Sequence, residues 1–167
     1  REQNLQDTPI AIPAVTSEML EARSQTSVLE VAAQAPNVTL KPAGQAFGPS
    51  MVAFIRGVGQ TDFIFALEPG VGIYVDDVYH STLTGSLLDL MDLQRVEVLR
   101  GPQGTLAGRN SIGGAIKLYS KVPDGTRGGD VSVTYGSFDR LGVRASGEFT
   151  VLPDRMLVRI AGASGQR

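Results

Sequence analysis

Residues Arg95 to Ile116 read RVEVLRGPQGTLAGRNSIGGAI, and how that stretch is read decides the fold. Val96–Leu99 is a short strand and Ala115–Tyr119 is another. The 14 residues between them, Gly101–Gly114, hold 5 glycines. Glycine at that density lets backbone pack close against backbone. Two chemistries that use glycine-dense loops are excluded here. Gly108 to Gly113 has the length of a phosphate loop, but Gly114 stands where the lysine must be. Arg109-Asn110-Ser111-Ile112-Gly113 has the length of a nucleophile elbow, with an arginine where the tight turn demands glycine. The stretch therefore reads as architecture, strand to strand.

Upstream, Met51–Arg56 reads as a strand ended by Gly57 and Gly59. Val71–Val78 reads as a second strand, bounded by Pro69-Gly70 and by polar Tyr79–Gly85. Ser86–Met91 reads as a helical turn, with Asp89 at the reciprocal capping position. Nearer the start, Arg1–Pro9 is a polar leader, and Ile10–Val15, broken by Pro13, fits an edge strand. Ser17–Arg23 predicts a short helix with acidic residues in its first turn. Ser27 and Glu30 have capping-box spacing ahead of Val28, Val31 and Ala32, and Pro36 stops that second helix. Asn37–Leu40 follows as a brief strand, then Lys41–Ser50 as a loop.

Downstream the pattern changes. Leu141, Val143, Ala145, Gly147, Phe149 and Val151 alternate with Gly142, Arg144, Ser146, Glu148 and Thr150. Pro153-Asp154 turns the chain, and Met156, Val158 and Ile160 then alternate with Leu157 and Arg159. Val131, Val133 and Tyr135 alternate with Ser132 and Thr134 ahead of the turn at Gly136–Asp139. The pattern is a meander of three antiparallel strands. It fits either a half-buried sheet of a soluble sandwich or strands long enough to cross a bilayer, about 9–11 residues when tilted. Three strands cannot close a barrel, since closure takes about eight.

Composition narrows the chemistry. The 167 residues are 42% hydrophobic, enough to build a core, and carry a net charge of −2, unlike a nucleic-acid binder. There is no cysteine and only one histidine, His80, so disulfides, thiolate catalysis and His-pair metal sites are ruled out. Asp76 and Asp77 beside His80 are poor metal ligands if they lie in one strand, because neighbouring residues there face opposite ways. No apolar run reaches the ~18 residues of a spanning helix. No initiator Met or signal segment opens the chain, so it is expected to begin inside a longer precursor. Charge is unevenly placed. Residues 1–92 have a balance of −7 and residues 93–167 a balance of +5, which fits surfaces that pair with partners of opposite sign.

Three segments together carry a resemblance: Phe54-Ile55-Arg56-Gly57-Val58-Gly59, Gly72-Ile73-Tyr74-Val75-Asp76-Asp77-Val78-Tyr79, and Arg95–Ile116. In this order and spacing they resemble the plug domain of TonB-dependent outer-membrane transporters, over about Gln3 to Pro123. The resemblance implies an α+β fold: a small mixed-sheet plug domain with short helices, followed by antiparallel strands of an incomplete transmembrane β-barrel. It divides the chain into a polar leader at 1–9 without the TonB box, a plug at 10–123, a linker at 124–129 and the first three barrel strands at 130–167. It implies energised uptake of a scarce solute across the bacterial outer membrane, with no enzymatic activity, cofactor, metal or nucleic acid. The partners it implies are the remainder of its own β-barrel, a small-molecule ligand, and TonB with its inner-membrane energising complex. TonB would be engaged through a segment upstream of Arg1. Arg56 and Arg100 would lock plug to barrel by meeting glutamates on its wall. Leu141, Val143, Phe149, Val158 and Ile160 would face lipid, with Arg144, Glu148 and Arg159 facing inward.

Strand order adds an expectation about ligand contact. If Val71–Val78 is one strand antiparallel to Met51–Arg56, its far end lies beside Lys41–Ser50. That end would offer Gln45, Phe47, Tyr79, His80, Ser81 and Leu83 to the ligand. Two departures from the family pattern stand out: Asp77 where a glycine is usual, at a turn that aspartate's tolerance of left-handed backbone should preserve, and Ala107 where an aromatic is usual. The rival reading is a stand-alone periplasmic interaction or signalling domain of plug-like fold. It gives no reason for an uncharged apolar face along Leu141–Val151.

Overall fold

The computed structural model describes residues 14–23, 27–43, 50–61, 68–81, 92–102, 104, 111–126, 128–137, 140–152 and 155–166. The chain forms two compact units, residues 1–120 and 121–167.

The first unit starts with β1 (Ala14–Thr16) and α1 (Ser17–Ala22). In α2 (Val28–Val31) the expected capping box is present: the Ser27 hydroxyl accepts from the Leu29 N–H, and the Glu30 carboxylate accepts from the Ser27 N–H. Both orphan donors of the first turn are thus satisfied, which lets a helix this short form. A single 3₁₀ turn, Ala32–Gln34, carries the chain to Pro36. Val28, Val31 and Ala35 are buried, and they hold the segment by apolar contact rather than by helix length.

Next come β2 (Val38–Pro42), β3 (Met51–Ile55) and β4 (Val58–Gln60), an antiparallel sheet in sequence order. The strand expected from Asn37 begins one residue later, because Asn37 is left-handed (φ 61°), and it takes in Lys41 and Pro42. β5 (Val71–Val75), β6 (Val78–His80), β7 (Leu93–Arg100) and β8 (Gly114–Ser120) join β1 in a five-stranded sheet ordered β1-β7-β8-β5-β6. Only β5 and β8 run parallel, so the sheet is mixed. Its inner face, Val71, Ile73, Val96, Val98, Ile116 and Leu118, shares one core with Met51, Ala53 and Ile55 and with the buried residues of α2. Each such side chain contributes about 1.5–3 kcal/mol by leaving water.

One expected strand is two. Val71–Val78 breaks at Asp76-Asp77, whose φ angles of 49° and 62° are those of a two-residue hairpin turn. The two aspartates are therefore turn residues, not neighbours on a pleat. The helical turn expected at Ser86–Met91 lies outside the described residues.

The second unit is a three-stranded antiparallel meander, β9 (Gly128–Gly136), β10 (Arg140–Leu152) and β11 (Met156–Gln166), with β10 central. Register puts Phe149 opposite Val158 and Glu148 opposite Arg159. Val133 lies opposite Val143, and Tyr135 opposite Leu141. Most apolar and polar residues thus occupy opposite faces, with Leu157 on the polar one beside Arg159.

Candidate functional site

Three features of the fold place chemistry. The first is a corner where two arginines meet. β3 passes to β4 through Arg56-Gly57, both left-handed (φ 52° and 80°), a turn that glycine makes cheaply and arginine does not. The Arg56 N–H donates to the Asn37 carbonyl at 2.8 Å. β7 ends at Arg100, whose Nη1 donates to the carbonyl of neighbouring Pro36 at 3.3 Å. Gly101 follows with φ +97°, and a Cβ built there would lie 3.1 Å from the Arg56 Nη1. The Arg56 guanidinium therefore rests on bare backbone next to Arg100. The resemblance gave Arg56 and Arg100 one shared role, and the fold brings them to one corner. Among the described residues no carboxylate reaches either guanidinium, and the Arg100 Nε is buried without a partner. A buried donor left open costs about 1–3 kcal/mol. A guanidinium with an unfilled donor position is chemically suited to take a carboxylate oxygen.

The second feature is the hairpin turn at Asp76-Asp77. The Asp76 carboxylate accepts from the Ser120 N–H and hydroxyl, both at 2.8 Å, and its own N–H donates to the Leu118 carbonyl at 2.9 Å. Asp77 accepts from Lys117 Nζ at 3.0 Å and from the Tyr119 hydroxyl at 3.1 Å. The Lys117 hydrogen bond holds the Asp77 carboxyl below the usual carboxylate range, against an opposing contribution from burial. Burial pushes the Tyr119 hydroxyl up, as does the nearby Glu97 charge. Arg95 stacks over the Tyr119 ring at 3.9 Å and pairs with Glu97 at 2.7 Å. Nothing in the sequence flagged this network, because its members come from the β5–β6 turn, β7 and β8 and meet only through register. The turn ties down the end of β8, where the first unit stops.

The hairpin also changes the geometry assumed for ligand contact. β6 folds back along β5, placing Tyr79 opposite Tyr74 and His80 opposite Ile73. Strand order therefore gives no ground for setting Tyr79–Gly85 beside Lys41–Ser50. Tyr79 is half-buried with its ring 5.3 Å from that of Tyr74, while His80 and Ser81 are exposed. Gln45, Phe47 and Leu83 lie outside the described residues. Among the described residues no three metal-ligating side chains gather.

The third feature is the second unit's inverted sheet. Phe149 is 43% exposed and Ile160 61%, whereas Glu148, one residue from Phe149, is 8% exposed. The Glu148 carboxylate accepts from the Asp124 and Gly125 N–H groups at 2.9 and 2.6 Å and pairs with Arg159 at 3.3 Å. Val131, Val133, Tyr135, Leu141 and Val143 extend the exposed apolar face. Apolar outside and hydrogen-bonded polar inside is the order a bilayer selects, and water selects the reverse.

Comparison with known proteins agrees with these features. A family model described as the TonB-dependent Receptor Plug Domain matches residues 4–115. The pesticin receptor of Yersinia pestis is 39% identical over 85 residues, 51% of this chain and 12% of that protein. The ferrioxamine B receptor of Salmonella typhimurium is 28% identical over 136 residues, 81% of this chain and 19% of that protein. The crystal structure of the ferric yersiniabactin uptake receptor FyuA from Yersinia pestis matches with a TM-score of 0.82 at 24% identity. That match covers 96% of this chain and 25% of the receptor, and it establishes the fold. The chain thus spans between about an eighth and a quarter of the length of these relatives.

Proposed function

Because the chain belongs to the TonB-dependent receptor plug domain family, we propose that it gates energised uptake of a scarce, bulky solute. Its location is the bacterial outer membrane, where receptors of this family sit. We assign residues 10–123 to the plug, 124–129 to the linker and 130–167 to the first three strands of the surrounding barrel. The observation that carries the reading is the inverted sheet: exposed Phe149 and Ile160 against buried Glu148. A stand-alone periplasmic domain would hold that apolar face in water, at a cost of about 25 cal/mol for each Å².

In this reading the plug closes the barrel at rest, and Arg56 and Arg100 are the latch. Their missing counter-charges are supplied by carboxylates on the barrel wall. Solute docks from outside, with the exposed His80 and Ser81 among its contacts. TonB, powered from the inner membrane, engages the segment ahead of the plug and displaces it. The protein makes and breaks no covalent bond. Ferric chelates are the cargo class we favour, since the ferrioxamine B and ferric yersiniabactin receptors are among the relatives.

The test uses the full-length receptor in its own outer membrane. Uptake of a ferric chelate should stop when TonB is deleted. The Arg56→Ala, Arg100→Ala double variant should admit small solutes without energisation. Chelate uptake indifferent to TonB would overturn the transport reading, and unchanged leak would overturn the latch. Solute contact is better probed with His80→Ala and Ser81→Ala than at Tyr79, whose loss would also unsettle Tyr74.

A further inference from the structure

We propose that the Pro36–Asn37 corner is the positioning element of the arginine pair, so that moving the N-terminal helices withdraws Arg56 and Arg100 from their carboxylates. The proposal rests on the latch reading above and adds what holds the latch and what releases it.

Two successive carbonyls of one corner hold residues from two different sheets. The Pro36 carbonyl takes the Arg100 Nη1, and the Asn37 carbonyl takes the Arg56 N–H. Asn37 sits in the left-handed region (φ 61°), which asparagine tolerates and β-branched residues do not. Gly101 completes the seat, since its lack of a side chain lets the Arg56 guanidinium rest beside Arg100. The pair is thus set as a unit, and both of its backbone acceptors belong to the corner.

The corner in turn belongs mechanically to the helices before it. The Ala35 N–H donates to the Ala32 carbonyl and the Val38 N–H to the Ala35 carbonyl, so the 3₁₀ turn runs without a break into Pro36. Ahead of it, Val15, Leu20, Val28, Val31 and Ala35 anchor the segment in one core, and among the described residues β1 pairs with β7 at Ala14, Val15 and Thr16. Among the described residues, a load arriving from the N-terminal side therefore passes along β1, then the two short helices, and then the corner. When the corner moves, Arg100 loses its carbonyl and Arg56 its backbone acceptor. Beyond the corner the β2–β3 pairing begins at Val38 and Ile55, the next interaction to resist.

The experiment compares Asn37→Val, Asn37→Gly and Arg100→Ala in the full-length receptor. Valine strains the left-handed corner, and glycine keeps it. Asn37→Val should raise unenergised small-solute leak to the level of Arg100→Ala, and should speed hydrogen exchange at the Arg56 amide by about tenfold, as one lost hydrogen bond implies. Asn37→Gly should leave both as in the wild type. If Asn37→Val does not insert, Asn37→Ala replaces it, with the same direction expected. Faster Arg56 exchange with wild-type leak, while Arg100→Ala leaks, would overturn the positioning role and leave the latch standing. Wild-type leak in Arg100→Ala and in the double arginine variant alike would overturn the latch and this proposal with it.

Discussion

Ile116 in the five-stranded sheet is fully buried, while Ile160 in the three-stranded sheet is 61% exposed. Both are strand residues in an alternating pattern, and the same pattern solves opposite problems in the two units. In the first unit the apolar face meets helices and a second sheet of the same chain, so it packs inward. In the second unit the polar face is the one with partners: Glu148 binds two backbone N–H groups and Arg159. Alternation alone says that a sheet has two unlike faces. Which face is covered depends on the solvent, and the positions of the hydrogen-bonding partners reveal the solvent.

The sharpest way to break this comparison is to put one kind of change in both sheets. Val98→Asp places an unpaired charge in the first unit's core and should prevent folding, since such burial costs more than about 4 kcal/mol. Val133→Arg, on the exposed face of β9, should alter the 167-residue chain in aqueous urea titration by less than about 0.5 kcal/mol. The same change in the full-length receptor folded into lipid vesicles should cost about 2–4 kcal/mol toward the bilayer centre. A neutral Val133→Arg in lipid would return β9–β11 to the soluble class.

A smaller effect should come from the polar face. Glu148→Ala leaves the Asp124 and Gly125 N–H groups without this acceptor and removes one carboxylate partner from a mostly buried Arg159. A loss of about 3 kcal/mol is expected from urea titration in vesicles, as for other broken buried pairs. Hydrogen exchange should rise at Asp124 and Gly125 in particular. Glu148→Gln keeps the oxygen that both N–H groups use and should recover part of the loss. An exposed glutamate would show neither effect.

Much of the architecture was legible because its signals are local. Ser27 and Glu30 form the capping box their spacing suggested, and the glycine-dense Gly101–Gly114 does separate two strands. The alternation alone runs one strand through Asp76-Asp77, because the usual hairpin signal, asparagine or aspartate followed by glycine, lacks its glycine here. The resemblance kept a turn at Asp77, and its φ of 62° bears that out. A continuous apolar-polar alternation hid the break. The error carried forward, since placing Tyr79 and His80 at a strand's far end required the strand to continue. The arginine corner was half legible. Arg56 and Arg100 stood out before glycines, but Pro36, Asn37 and Gly101 act through backbone carbonyls and a missing side chain, which residue identity does not announce.

The smallest effect concerns Asp77, which stands where the resemblance leads one to expect glycine. At φ 62° an aspartate is strained by somewhat less than the 1–2 kcal/mol of an ordinary residue, and glycine would relieve that strain. In return its carboxylate holds Lys117 and the Tyr119 hydroxyl. The Asp77 side chain is 66% exposed, so that pair contributes at most about 1 kcal/mol. The two contributions nearly cancel, and Asp77→Gly should change stability at pH 7 by less than about 0.5 kcal/mol. The variants separate on acidification. The Asp77 carboxyl is held down chiefly by the Lys117 hydrogen bond. A depressed carboxylate stabilises the fold above its unfolded value near 3.9, and that contribution is lost as the pH falls through the depressed folded value. The strain has no such dependence. Paired urea titrations of wild type and Asp77→Gly should therefore nearly coincide at pH 7, and the glycine variant should become the more stable by about pH 3. A constant difference across that range would mean that the Lys117 contact adds nothing, and that the strain at Asp77 is offset elsewhere.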